Sequence, residues 1–179
     1  MTRLTLPLIC ECLLLCIPLN IYVIGDNLAQ GVQWALFRYQ QSSMGNSLIL
    51  IHKDLHYVTG GILKGASAYS TIVWILGALL LVAAAITLAV AAFRHQSNLV
   101  FPAGVLTVLC GILFFAAVIV EYGPALANSH GSSVPVGIPV IVVTGFWLMY
   151  GTFETGETEL DNSDDGPEGE TGQDEDTRK

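Results

Sequence analysis

Apolar residues in this chain gather into four long runs, at 4–24, 71–93, 99–120 and 134–151, separated by polar stretches of very unequal length. A helix rises 1.5 Å per residue and the hydrocarbon core of a bilayer is about 30 Å thick, so runs of this length predict membrane-crossing helices. The pattern predicts an all-α fold: a four-span transmembrane helical bundle with an outer cap loop at 25–70 and a disordered C-terminal tail at 152–179. Four spans place both termini on one side. The last run is the shortest, and Pro135, Gly137, Pro139 and Gly145 within it predict little tilt, local bilayer thinning or a broken first turn.

The first run reads as a retained span, because its apolar stretch is long for a signal peptide and no small-x-small cleavage site follows it. It carries an acid, Glu11, among Cys10, Cys12 and Cys16. Seven Leu, four Ile and one Val, at about 0.3–0.6 kcal/mol each, outweigh one ionisable residue costing about 3 kcal/mol, so insertion stands. In the second run, Gly77, Ala78, Ala83, Ala84, Ala85, Ala89, Ala91 and Ala92 allow close approach of neighbouring helices, which makes it the expected packing hub.

The loop at 25–70 is too long to be a plain connector and must hold structure. Asp26 is placed to cap a helix in which Leu28, Val32, Leu36 and Tyr39 recur at helical spacing, with Trp34 and Phe37 broadening the apolar surface. That predicts an interfacial helix lying on the outer leaflet or capping the bundle. The following piece, SLILIHKDLHYV at 47–58, fits either a strand or a short helix and ends at the Gly60-Gly61 breaker.

Charge sharpens the division. The chain is 53% hydrophobic and 12% charged, with a mean hydropathy of +0.60, as expected of a membrane protein. Eleven of the 15 acids lie at 154–176, so the tail, with Arg178 and Lys179, carries a net −9, while the rest of the chain is near neutral. The pI of 4.7 therefore describes the tail and does not indicate a nucleic-acid-binding surface. Arg3 and the short loop Arg94-His95-Gln96-Ser97-Asn98 favour cytoplasmic termini in a multi-pass protein of the cell membrane. Tyr22, Tyr69, Trp74 and Tyr122 then mark the outer interface, and Phe93, Phe101, Trp147 and Tyr150 the inner one. The tail, TFETGETELDNSDDGPEGETGQDEDTRK, has almost nothing to bury and reads as disordered. In this style it resembles the acid-saturated tails of small multi-pass membrane proteins of salt-loving archaea or their viruses, which implies hydration in high salt and leaves a virion envelope open as a location.

Candidate chemistry is sparse. Around a helix, Cys12 and Cys16 share a flank while Cys10 lies on the far side, so the thiols cannot converge on one ion and read as small packing residues, together with Cys110. His52, Asp54 and His56 are the best conventional metal-ligand set. On a strand all three project from one face; on a helix only the histidines pair and Asp54 points away. Glu121 and His130, from the other outer loop, could complete a zinc-like or copper-like shell. Glu11, Thr87, Thr107 and Thr144 each lie roughly 10 Å from the inner boundary of their runs, which predicts a buried polar layer around one acid. A carboxyl in hydrocarbon seeks hydroxyl or carbonyl partners, and a lipid-facing one finds none.

There is no nucleophile–base pair, phosphate cradle or strong metal signature, and no cofactor is implied. The expected role is a non-catalytic scaffold, accessory subunit or envelope component whose partners are the lipid bilayer and other membrane subunits or further copies of itself. Two alternatives stand beside it: a small proton- or cation-coupled transporter using Glu11, and a membrane metalloenzyme using His52 and His56.

Overall fold

The computed structural model describes residues 4–25, 28–129 and 131–151. Helix α1 (Thr5–Leu14) leads through a turn into strand β1 (Asn20–Ile24), followed by β2 (Ala29–Gln33), β3 (Phe37–Ser42) and β4 (Gly45–Leu50). Helix α2 (Ile51–Thr59) precedes the long α3 (Ala66–Arg94); a 3-10 turn at Ser97–Leu99 then opens α4 (Val100–Tyr122). The short strands β5 (Ala127–Asn128) and β6 (Gly131–Val134) lead into α5 (Ile138–Tyr150). The strands form one antiparallel sheet in the order β4-β3-β2-β1-β6-β5.

This corrects the all-α four-span bundle. Among the described residues only α3 and the helical stretch 97–122 are long and apolar enough to cross a membrane, each with a mean hydropathy of 2.7. Helices α1 and α5 have 10 and 13 residues, about 15 and 20 Å, short of a full crossing. The runs at 4–24 and 134–151 are each divided between helix and sheet. Pro18 removes a helical donor just after α1, and the β-branched stretch Asn20–Ile24 pairs with β2 and β6 instead of continuing the helix. The cap at 25–70 holds no helix at 28–39. That segment is β2 and β3, joined by a tight turn closed by Trp34 N–H to the Phe37 carbonyl (2.8 Å), and its proposed cap, Asp26, lies outside the described residues. The 47–58 piece is both things in succession, a strand to Leu50 and a helix from Ile51. The acidic tail at 152–179 also lies outside the described residues.

Helix α3 packs against α4, α4 against α5, and α1 against α3 and α5. Buried Ala78, Leu81, Ala84, Leu88 and Ala91 form the α3 face of this core, opposite Ala103, Cys110, Phe114 and Ala117 of α4. Helices α4 and α5 approach to backbone contact. A Cβ on Gly104 would lie 2.8 Å from the Gly145 carbonyl oxygen, so only hydrogen at both positions lets the helices touch there. Small residues of the second run are packed as well: Gly77, Ala78, Ala84 and Ala91 are buried, and a Cβ on Gly77 would lie 2.8 Å from the Phe114 ring.

The sheet is fastened to the ends of the helices. Leu19 N–H donates to the Gln33 carbonyl at 2.7 Å, and Gly137 N–H donates to the Leu19 carbonyl at 3.0 Å, so Leu19, just before β1, is bonded both to the end of β2 and to the entry to α5. Trp34 stacks on Phe37 with centroids 4.8 Å apart. Its indole N–H donates to the Cys16 carbonyl at 3.1 Å, and its own carbonyl accepts the Trp74 indole N–H at 3.2 Å. One turn residue therefore ties the end of α1, the β2–β3 turn and α3 together.

Candidate functional site

Glu11 is fully buried and meets Thr107, whose Oγ1 lies 2.8 Å from Glu11 Oε1 and 2.9 Å from the Ala103 carbonyl oxygen. A hydroxyl carries one proton. When that proton serves Ala103, the short contact to Glu11 is satisfied by a protonated carboxyl donating to Thr107. Cys110 Sγ donates to the Thr107 carbonyl at 3.1 Å, placing a thiol beside the pair, and Glu11 Oε2 is buried without a partner. Thr87 and Thr144 do not join this pair by hydrogen bond. Each donates to the carbonyl four residues back on its own helix, Ala83 at 2.8 Å and Val140 at 2.9 Å, and both side chains are half-buried. Of the four residues named for a polar layer, the fold bonds Glu11 to Thr107.

The conventional ligand set is spread around α2. His52 and His56 lie on its exposed side, while Asp54 is 1% exposed on the opposite side, 2.5 Å from the Arg38 guanidinium of β3. Burial pushes the Asp54 carboxyl up, and the Arg38 charge and hydrogen bond pull it back. Glu121, near the C-terminal end of α4, accepts the hydroxyl of Ser67 at the start of α3 at 2.8 Å, and His130 lies outside the described residues. No group of three or more His, Cys, Asp or Glu able to hold a metal ion occurs among the described residues.

A cavity of about 400 Å³ lies between the sheet and the adjoining ends of α3 and α4. Its floor follows from strand register. Asn20, Gln33 and Arg38 are directly paired across β1, β2 and β3, and so are Tyr22, Gly31 and Gln40, so the two rows face the helices side by side. Gly31 is required here because a Cβ would meet the Tyr22 hydroxyl oxygen at 2.5 Å and would collide with the Tyr39 carbonyl. Helices α3 and α4 supply Trp74, Phe114, Glu121 and Tyr122 to the walls. The Tyr22 hydroxyl, Asn20 Oδ1 and Arg38 Nε belong to lining residues and are buried without hydrogen-bond partners, each at a cost of about 1–3 kcal/mol. Burial holds the Tyr22 phenol above its ordinary pKa, so it stays neutral.

The sequence marked Tyr22, Trp74 and Tyr122 only as outer-interface aromatics. Tyr22 and Trp74 are 3% exposed and Tyr122 8%, all in the cavity wall, whereas Tyr69 is 68% exposed. The signal that could have found the cavity is the polar alternation Asn20, Tyr22 and Gln33, Arg38, Gln40, which becomes visible once 20–42 is read with a period of two. No known protein family and no curated protein sequence matches this chain.

Proposed function

We propose that this protein is a non-catalytic component of the cell membrane, in which α3 and α4 cross the bilayer and the sheet stands on the outer side as a platform for another protein subunit. Support for the bilayer comes from the sides of the helices. Only about a third of the apolar stretch of α3 and under half of that of α4 is buried, and outward residues such as Leu79, Ile86, Phe93, Ile112 and Phe115 are exposed. Water is a poor solvent for such a surface and lipid a good one. Arg94 and His95 at the α3–α4 hairpin favour the cytoplasmic side for that end, and with it the termini.

One observation carries the scaffold reading. Val134, Ile21, Val32, Tyr39 and Leu48 are directly paired neighbours across five strands, forming one row on the face turned away from the helices. Four of the five are exposed, between 38% and 63%. A continuous apolar row across the open face of the sheet is the composition of the centre of a protein interface. The polar side chains, by contrast, serve the fold: Arg38–Asp54, Trp34–Cys16, Trp74–Trp34 and Ser67–Glu121 each join one element to another.

The test is gentle extraction followed by native mass spectrometry. A complex larger than the monomer is expected, and the Ile21→Lys/Tyr39→Lys double variant should release the monomer while still fractionating with membranes. A wild-type protein that emerges alone and monomeric would defeat the scaffold reading.

A further inference from the structure

We propose that the cavity beneath the sheet binds a small organic ammonium ion, free or as the headgroup of a lipid. The charges in its wall determine the sign of the ligand. Arg38 is occupied by Asp54, so that pair is close to neutral, and Glu121 remains as a carboxylate whose bonded partner is the Ser67 hydroxyl, with no ion pair among the described residues. An anion would be repelled by Glu121 and would meet a guanidinium whose charge Asp54 already balances, although Arg38 Nε itself has no hydrogen-bond partner among the described residues. A cation is the complementary guest.

The rest of the wall determines what kind of cation. Tyr22, Trp74, Phe114 and Tyr122 line the cavity together with Glu121, so its wall combines four aromatic rings with one carboxylate that no ion pair among the described residues balances. Aromatic faces attract cations through the ring quadrupole, and the gain is largest for weakly hydrated alkylammonium groups that shed water easily. A divalent metal would need several converging ligands, and no such group occurs among the described residues. A volume of about 400 Å³ accommodates a tetramethylammonium or choline group without rearranging the fold. The cavity lies where α3 and α4 meet the sheet, at the proposed bilayer boundary, so a lipid headgroup and a dissolved ion present the same chemistry to it.

The experiment uses the full-length protein in a maltoside detergent, titrated with tetramethylammonium chloride and with choline chloride, and followed by calorimetry and tryptophan fluorescence. Saturable binding of both ions is expected. The neutral choline isostere 3,3-dimethylbutan-1-ol should bind about tenfold more weakly, a comparison that needs no variant. Glu121→Gln and Tyr122→Leu should each weaken choline binding by about tenfold, with thermal melting used to verify that the variants are folded. Repeating the titration in phosphatidylglycerol and phosphatidylcholine nanodiscs separates the sources. Loss of the free-choline response only in phosphatidylcholine identifies the headgroup as occupant, and its persistence in both identifies the dissolved ion. No saturable binding in maltoside or phosphatidylglycerol, equal affinity for the neutral isostere, or an unchanged affinity in folded Glu121→Gln would each overturn the proposal.

Discussion

The helix core and the space under the sheet bury polar groups in opposite ways. Between the helices, Glu11 is enclosed by close packing and its bonded oxygen has one side-chain partner, Thr107. Under the sheet, six inward strand positions, Asn20, Tyr22, Gly31, Gln33, Arg38 and Gln40, face a void that protein does not fill. The contrast follows from geometry. Helices with glycine at their contact, such as Gly104 and Gly145, close down to backbone distance, whereas a twisted sheet laid across helix ends cannot follow their outline. The buried acid in the first region is enclosed by packing, whereas in the second the Tyr22 hydroxyl and Asn20 Oδ1 remain without a protein partner among the described residues.

The largest test of that contrast is Arg38→Ala, which would leave Asp54 buried opposite no charge. A loss of about 3–5 kcal/mol is expected in denaturation of the purified protein, and Arg38→Ala/Asp54→Asn should recover much of it. Next is Gly104→Val, where the new side chain meets the Gly145 carbonyl and Met149 at 2.8 Å; about 1–3 kcal/mol should be lost, with α5 protease-sensitive. Within the polar layer the threonines should separate. Thr107→Val removes the partner of a buried carboxyl and should cost about 1–3 kcal/mol, while Thr87→Val and Thr144→Val, which give up bonds only to their own helices, should stay within about 0.5 kcal/mol. Equal losses at all three positions would show a joined layer.

The smallest effect concerns pH. The Tyr22 phenol is raised from 10.0 by burial, so its contribution to stability is complete below the unfolded value and is lost as pH rises through the folded one. Tyr22→Phe also removes an unpartnered buried hydroxyl. That variant should match or slightly exceed the wild type at neutral pH and lose less stability above pH 10, as measured by melting temperature across an alkaline series.

Sequence and structure agree where a single period of hydrophobicity holds for many residues. The runs at 71–93 and 99–120 became α3 and α4 because each is long and apolar from end to end. The runs at 4–24 and 134–151 mixed helix and strand, and hydropathy alone registers both as apolar. The segment 28–39 misled for a related reason. Its strands turn Gln33 and Arg38 toward a polar cavity and Val32 and Tyr39 outward, so the usual apolar-in pattern is inverted and the apolar spacing imitates a helix. For the sites, depth counting placed Glu11 with Thr87, Thr107 and Thr144 alike, because it cannot tell a threonine bonded across helices from one bonded to its own.

By itself the sequence determined the length and apolar composition of α3 and α4, the separation of an acidic tail from a near-neutral body, and the burial of one acid. Those properties depend on composition and length, which are local. Only the tertiary structure decided that the cap is a sheet, that Asp54 belongs to Arg38 and not to His52 and His56, and that Tyr22, Trp74, Tyr122 and Glu121 enclose one cavity. Each of these depends on which distant segments pair and in what register, and a shift of one residue in β1 would turn Tyr22 to the opposite face.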